Sequence, residues 1–147
     1  MRLAHINLVA RNVEVLTAFY VNVMKCNVLR ELKTLSGENV SRGNGLPNSE
    51  IRTIWLKFPE LERPFLEIHE HTTTHHRDQP RVNEPGFGHL AFQMEDIRDT
   101  LSKIIEAGGA QIGEIIDFGT PGMPYLIAYA RDVEGNVLEL EQIPHGR

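Results

Sequence analysis

The sequence is poor in the features that would mark several broad classes of protein. It has one cysteine, Cys26, so no disulfide can form within the chain. A reducing compartment is therefore expected, with Cys26 serving as a small buried hydrophobe. Basic residues are outnumbered, 15 against 20 acidic, for a formal net charge of -5. That balance argues against a nucleic-acid partner, which would require clustered Lys and Arg, and against an anionic membrane surface. No run approaches the roughly 18 apolar residues of a membrane-spanning helix. The N-terminus, Met1-Arg2-Leu3-Ala4-His5, has no basic stretch followed by an apolar one, so no signal peptide is expected and the default location is the cytoplasm. What remains is 147 residues of ordinary composition, 41% hydrophobic and 24% charged. That is enough chain for one domain of about 150 residues with a sizeable core and no need of disulfides.

The chain resembles itself. His5-Ile-Asn-Leu-Val-Ala-Arg-Asn-Val-Glu and His89-Leu-Ala-Phe-Gln-Met-Glu-Asp-Ile-Arg both begin with His on an alternating stretch and pass into a helical pattern at a short polar residue. Phe65-Leu66-Glu67-Ile68 and Val137-Leu138-Glu139-Leu140 are both apolar strands with one acid at the same place. His5 and Glu67 are 62 positions apart, and His89 and Glu139 are 50 apart. The difference is assigned to a polar insertion loop, Leu35 to Glu50, which holds Gly37, Gly43, Gly45 and Pro47.

Each half reads as β-α-β-β-β. In the first, strands are expected at Leu3–Ala10, Cys26–Leu32, Ile51–Phe58 and Phe65–His71. Asn12 caps a helix that runs to about Lys25, with Leu16, Phe19, Tyr20 and Val23 on one face. In the second half, strands are expected at His89–Met94, Ala110–Phe118, Tyr125–Arg131 and Val137–Gln142. Asp96 caps a helix striped by Ile97, Leu101, Ile104 and Ile105, and Gly108-Gly109 stops it. Asp132 to Asn136 is a hairpin turn, with Gly135 supplying a positive φ. The expected fold is α+β: two tandem βαβββ modules in a single domain over 1–147. Module 1 covers about 1–75, a polar linker about 76–86, and module 2 about 87–147.

Alternate residues of a strand share a face. His5, Asn7 and Val9 share one, as do Phe65, Glu67 and His69; the second copy repeats this with His89, Ala91 and Gln93, and with Val137, Glu139 and Glu141. An acid in the middle of an apolar strand is costly unless it meets water or a partner. Two imidazoles and two carboxylates, at matching places in two copies of one module, suit a single divalent ion: Zn, Ni, Co, Fe or Mn. His5, Glu67, His89 and Glu139 are therefore the expected metal ligands.

Ala4-His5-Ile6, the helix ending Phe19-Tyr20, Phe65-Leu66-Glu67-Ile68, Gly88-His89-Leu90-Ala91-Phe92 and Arg131-Asp132-Val133-Glu134-Gly135-Asn136-Val137-Leu138-Glu139-Leu140 resemble the vicinal-oxygen-chelate superfamily. That superfamily includes glyoxalase I, methylmalonyl-CoA epimerase, extradiol dioxygenases and fosfomycin-resistance thiol transferases, as well as bleomycin-resistance proteins that only bind a ligand. The resemblance implies an incomplete barrel around a metal cleft, a small-molecule substrate and a homodimer. The four ligands match the His/Glu/His/Glu pattern of bacterial-type glyoxalase I. That implies a lyase or isomerase moving a proton through an enediolate of a small carbonyl substrate, with Glu139 and Glu67 as catalytic carboxylates. The alternatives are an Fe(II) or Mn(II) dioxygenase and a non-enzymatic binding protein. Glutathione-using members carry an Arg in the first strand, where this chain has Asn7-Leu8-Val9, so a glutathione hemithioacetal is not the expected substrate. His69, beside Glu67, is expected either in an acid-base role or at the rim. His71, His75 and His76 read as a solvated stretch. Trp55, Arg52, Phe87 and Tyr125 are candidate pocket residues.

Overall fold

A computed structural model of the chain describes residues 1–144. The last three positions of the expected second module, 145–147, lie outside the described residues. Contacts divide the chain into two compact units, Met1–His76 and the residues from Arg77 onward.

The first unit runs β1 (His5–Val9), α1 (Val13–Asn22), β2 (Asn27–Ser36), α2 (Glu38–Asn44), β3 (Glu50–Lys57) and β4 (Phe65–His71). Its four strands form an open sheet in the order β1-β4-β3-β2. β1 is parallel to β4, and the other pairs are antiparallel. α1 starts where Asn12, in extended conformation, accepts a hydrogen bond from the Val15 amide. Val13, Leu16, Phe19 and Tyr20 return every three or four residues and are buried. The helix packs on β3 and β4. Leu56, Leu66 and Ile68, fully buried, belong to the same core as Leu16 and Tyr20.

The second unit repeats this plan: β5 (Leu90–Gln93), α3 (Ile97–Glu106), β6 (Ala110–Asp117), β7 (Leu126–Arg131) and β8 (Val137–Gln142). Its sheet order is β5-β8-β7-β6, again with one parallel pair, β5 with β8. Asp96 caps α3 by accepting from the Arg98 and Asp99 amides. Ile97, Leu101 and Ile104 are buried, with Leu138 and Leu140 in the same core. Ile105, expected on that stripe, is instead half exposed. The three buried positions already fill the helix face, and Ile105 falls one step beyond it. Gly108 leaves the helix at φ +93, a conformation that L side chains rarely adopt.

The insertion is not a plain loop. β2 extends to Ser36, and Glu38–Asn44 form α2, closed by Gly45 at φ +75. No residue of α2 is buried, so it has no apolar stripe for periodicity to reveal. Side chains hold it instead: Ser41 Oγ accepts from the Ser49 amide, and Asn44 donates to Ser49 Oγ and accepts from the Leu46 amide.

Cys26 is 2% exposed, and burial pushes its thiol up to about 12. A thiol reagent at about pH 8 is expected to leave the native protein unlabelled and to label one group per chain after denaturation. Fast native labelling would contradict the burial. Because the folded value lies above that of a free thiol, this group costs no stability below the free thiol's range. Stability is expected to fall as pH rises from there toward 12.

No helix among the described residues is long and apolar enough to cross a membrane.

Candidate metal centre

In the first unit, parallel pairing sets Asn7 opposite Glu67, and antiparallel pairing sets Trp55 opposite Glu67 on the other side. Strand alternation puts Glu67 on the sheet face away from α1, between the fully buried Leu66 and Ile68. Each neighbour then contributes a polar group. Trp55 Nε1 donates to Glu67 Oε1 at 2.8 Å, and Asn7 Nδ2 donates to Oε2 at 3.2 Å. His5 Nε2 stands 3.5 Å from the same Oε2. The His5 ring stacks on Phe65 with centroids 5.2 Å apart.

The second unit builds the same arrangement from its own residues. Register sets Ala91 and Tyr129 on either side of Glu139. His89 Nε2 stands 3.6 Å from Glu139 Oε2, and the Tyr129 ring meets the His89 ring edge-on at 5.5 Å. The Tyr129 hydroxyl donates to Glu139, and this bond is the main reason its ionisation lies above the usual phenol range. Both acids are 13% exposed, while His5 and His89 are 43% and 36% exposed. In each pair, then, the imidazole lies on the open side and the carboxylate behind it.

At 3.5 and 3.6 Å these separations are too long for a hydrogen bond and slightly longer than those of two ligands on one ion. Two ligands each about 2.1 Å from one ion stand roughly 3.0 to 3.4 Å apart, depending on geometry. A direct N–H···O bond would close to about 2.9 Å. The chemistry of the donors fits an ion: imidazole nitrogens and carboxylate oxygens are the ordinary ligands of Zn, Ni, Co, Fe and Mn. His69 adds to this. Its Nε2 lies 3.2 Å from Glu67 Oε2, yet it is buried and makes no hydrogen bond. His69 is thus inside the acid's surroundings and not at a rim. Among the described residues, no group of three His, Cys, Asp or Glu side chains is placed ready to hold a metal ion; the first unit brings His5 and His69 to Glu67, and the second brings His89 to Glu139.

The opposite faces of the two sheets show the same repetition for a different purpose. Glu70 Oε2 accepts from the Val13 amide at 2.7 Å, and Gln142 Oε1 accepts from the Ile97 amide at 3.0 Å. Each lies three residues after its acid and fastens the first turn of its unit's helix. Arg52, a candidate pocket residue, belongs to this scaffold. It binds Glu14 and, at 3.0 Å, Glu70. Phe87 is fully exposed, and Tyr125 bonds to Glu141. His71 is held below the usual imidazole range by burial and then by neighbouring His69. His75 and His76 are exposed.

Sequence reasoning missed Tyr129 altogether and placed Trp55 only as a general pocket candidate. The signal was present in the repeat: each aromatic lies 12 or 10 positions before its acid, across one hairpin.

A family model described as the Glyoxalase/Bleomycin resistance protein/Dioxygenase superfamily matches residues 2–140. Among solved structures, a glyoxalase family protein from Bacillus cereus is similar with a TM-score of 0.87 at 20% identity, covering 98% of this chain and 95% of that one. A glyoxylase/bleomycin resistance protein/dioxygenase domain from Frankia sp. EAN1pec gives 0.66 at 18% identity, with 100% and 95% covered. A mutant of the fosfomycin resistance protein FosX from Listeria monocytogenes, in complex with Mn(II) and 1S,2S-dihydroxypropylphosphonic acid, gives 0.61 at 18% identity, with 95% and 90% covered. No curated protein matches the chain. At these identities the solved structures speak for the fold. The family match, which spans nearly the whole chain and both His/acid pairs, speaks for descent: this chain belongs to the Glyoxalase/Bleomycin resistance protein/Dioxygenase superfamily.

Proposed function

We propose that the chain is a metal-dependent lyase or isomerase of the glyoxalase I or epimerase kind, acting on a small carbonyl substrate. Its ligands would be His5, Glu67, His89 and Glu139, holding one divalent ion per site. The observation that carries this reading is the duplicated pair: an imidazole 3.5 or 3.6 Å from a carboxylate, at matching positions of two sheets, with an aromatic donor bonded to each acid. A divalent ion there would supply an electrophile for two adjacent substrate oxygens and so favour loss of the proton beside the carbonyl.

The chain's own groups divide the remaining work. A carboxylate takes that proton and returns it to the adjacent carbon (isomerisation) or to the other face of the same carbon (epimerisation). Glu67 and Glu139 are not equally free to do this. Glu67 is tied by both Trp55 and Asn7. At the place matching Asn7 the second copy has Ala91, which offers no side-chain donor. Glu139 therefore keeps more freedom to move, and the reading assigns it the base. Glu67 acts as the better-fixed ligand. The same Ni, Zn, Co, Fe or Mn set serves a homodimer or a single chain.

The test is metal content after reconstitution. His5→Ala, Glu67→Ala, His89→Ala and Glu139→Ala are each expected to lose about tenfold or more in metal affinity. Stoichiometric metal surviving all four changes would sink the assignment. Oxygen uptake with a catechol, tolerant of Glu67→Ala, would replace the reading with an oxygenase.

A further inference from the structure

A cavity of about 480 Å³ opens on the first unit, and it is lined by three arginines: Arg2, Arg30 and Arg63. In a chain with a net charge of -5, such a local excess of positive charge calls for an explanation. Glu62, the acid of the lining, does not neutralise it, because its carboxylate is engaged by Lys57. Among the described residues, no carboxylate pairs with Arg2, Arg30 or Arg63.

The floor of the cavity is aromatic. Trp55 and Phe65 stack at 4.4 Å with an interplanar angle of 25°. The Arg30 guanidinium sits 3.8 Å over the Trp55 ring, and that of Arg63 sits 5.5 Å over the Phe65 ring. Stacking holds a guanidinium by its face and leaves its in-plane N–H groups free to donate. Arg63 also reaches the Ala4 carbonyl, at 3.5 Å. Two forks are thus oriented before any ligand arrives, which lowers the entropy cost of binding one. The floor is shared with the proposed metal centre. Trp55 bonds to Glu67, and Phe65 stacks on His5. A ligand in the cavity therefore adjoins two rings that also contact the His5–Glu67 pair.

We propose that this cavity binds the oxyanion of the substrate, a carboxylate or phosphate carried by the small carbonyl compound. Its role as a substrate subsite rests on the proposed reaction; the anion binding itself does not. Planar forks that donate two parallel N–H bonds match either oxyanion.

Trp55 is the chain's one tryptophan, so its emission reports on the cavity floor directly. Inorganic phosphate and acetate are titrated into the full chain at constant ionic strength, with Trp55 emission and calorimetry as readouts. Saturable binding of at least one is expected, and the tighter of the two names the kind of oxyanion. Arg30→Gln and Arg63→Gln should each weaken it about tenfold, from loss of a charge-assisted bond. Arg98→Gln, an exposed change on α3, should leave it unaltered. Metal content is measured on the same samples. It should be unchanged in the two arginine variants, whereas His89→Ala should lose metal and keep its phosphate or acetate affinity. No saturation with either anion overturns the proposal, as does equal binding by Arg30→Gln, Arg63→Gln and wild type. Binding that survives in Arg30→Gln and vanishes in His89→Ala assigns the anion to the metal instead, which also overturns it.

Discussion

Glu139→Gln is expected to lower turnover by about a hundredfold to ten-thousandfold while metal stays bound. The amide keeps nearly the same shape and one oxygen that can still accept from Tyr129. What it loses is basicity. Solvent deuterium incorporation at the carbon beside the carbonyl should fall in step with turnover, because both need the same proton to leave. Glu67→Gln should fail differently. Both Glu67 oxygens accept hydrogen bonds, one from Trp55 and one from Asn7. An amide has one acceptor oxygen, so if it stays on Trp55 its NH₂ turns toward Asn7, and the oxygen that faced His5 is lost. Metal affinity should therefore drop first, with turnover recovering in part at high metal concentration. If Glu139→Gln retains nearly full exchange, Glu139 is not the base. If the two variants behave alike, the asymmetry drawn from Asn7 and Ala91 is wrong.

Asp132→Ala should be the most damaging change outside the site, destabilising the protein by about 2 to 4 kcal/mol. Asp132 is 2% exposed, at the turn between β7 and β8. Its Oδ1 accepts from the Glu134 amide at 2.9 Å and the Asn136 amide at 3.0 Å. Its Oδ2 accepts from the Asn136 side chain at 2.8 Å. Removing the carboxylate leaves these donors unanswered in a part-buried turn, which is why the expected loss exceeds that of an ordinary hydrogen bond. The denaturant midpoint should fall with the slope unchanged. Asp132→Asn, which keeps one acceptor and the shape, should cost less. A midpoint within error of wild type for Asp132→Ala would show that the turn holds without this side chain. Because β8 begins at Val137, a loosened turn should also weaken the His89–Glu139 pair.

The repeat made much of this legible before any coordinates. His5 could be matched with His89, and Glu67 with Glu139, because the chain states the pattern twice, and the caps Asn12 and Asp96 could be named because the polar residue precedes the apolar stripe each time. Three things stayed hidden, each for a physical reason. Trp55 and Tyr129 reach their acids through cross-strand register, and their matching places before each acid gain meaning only once the hairpin pairing is known. α2 has no buried face, so its helicity leaves no periodic trace. Arg30 and Arg63 come together only when β2 and the chain before β4 meet at the cavity, and nothing in a linear charge count separates them from solvated arginines such as Arg98.

Strand β4 alternates sharply. Glu67 serves the proposed metal on one side, and its neighbours Leu66 and Ile68 are fully buried on the other. Strand geometry offers no intermediate setting. A slip of one residue would exchange the two sides, sending a carboxylate into the oil and a leucine to the ligand position. The site therefore cannot be adjusted by degrees. An insertion in the segment between β3 and β4 should be absorbed there, whereas one inside β4 should remove the ligand and the core together. Position along this strand behaves as a switch with two settings, and only one of them folds.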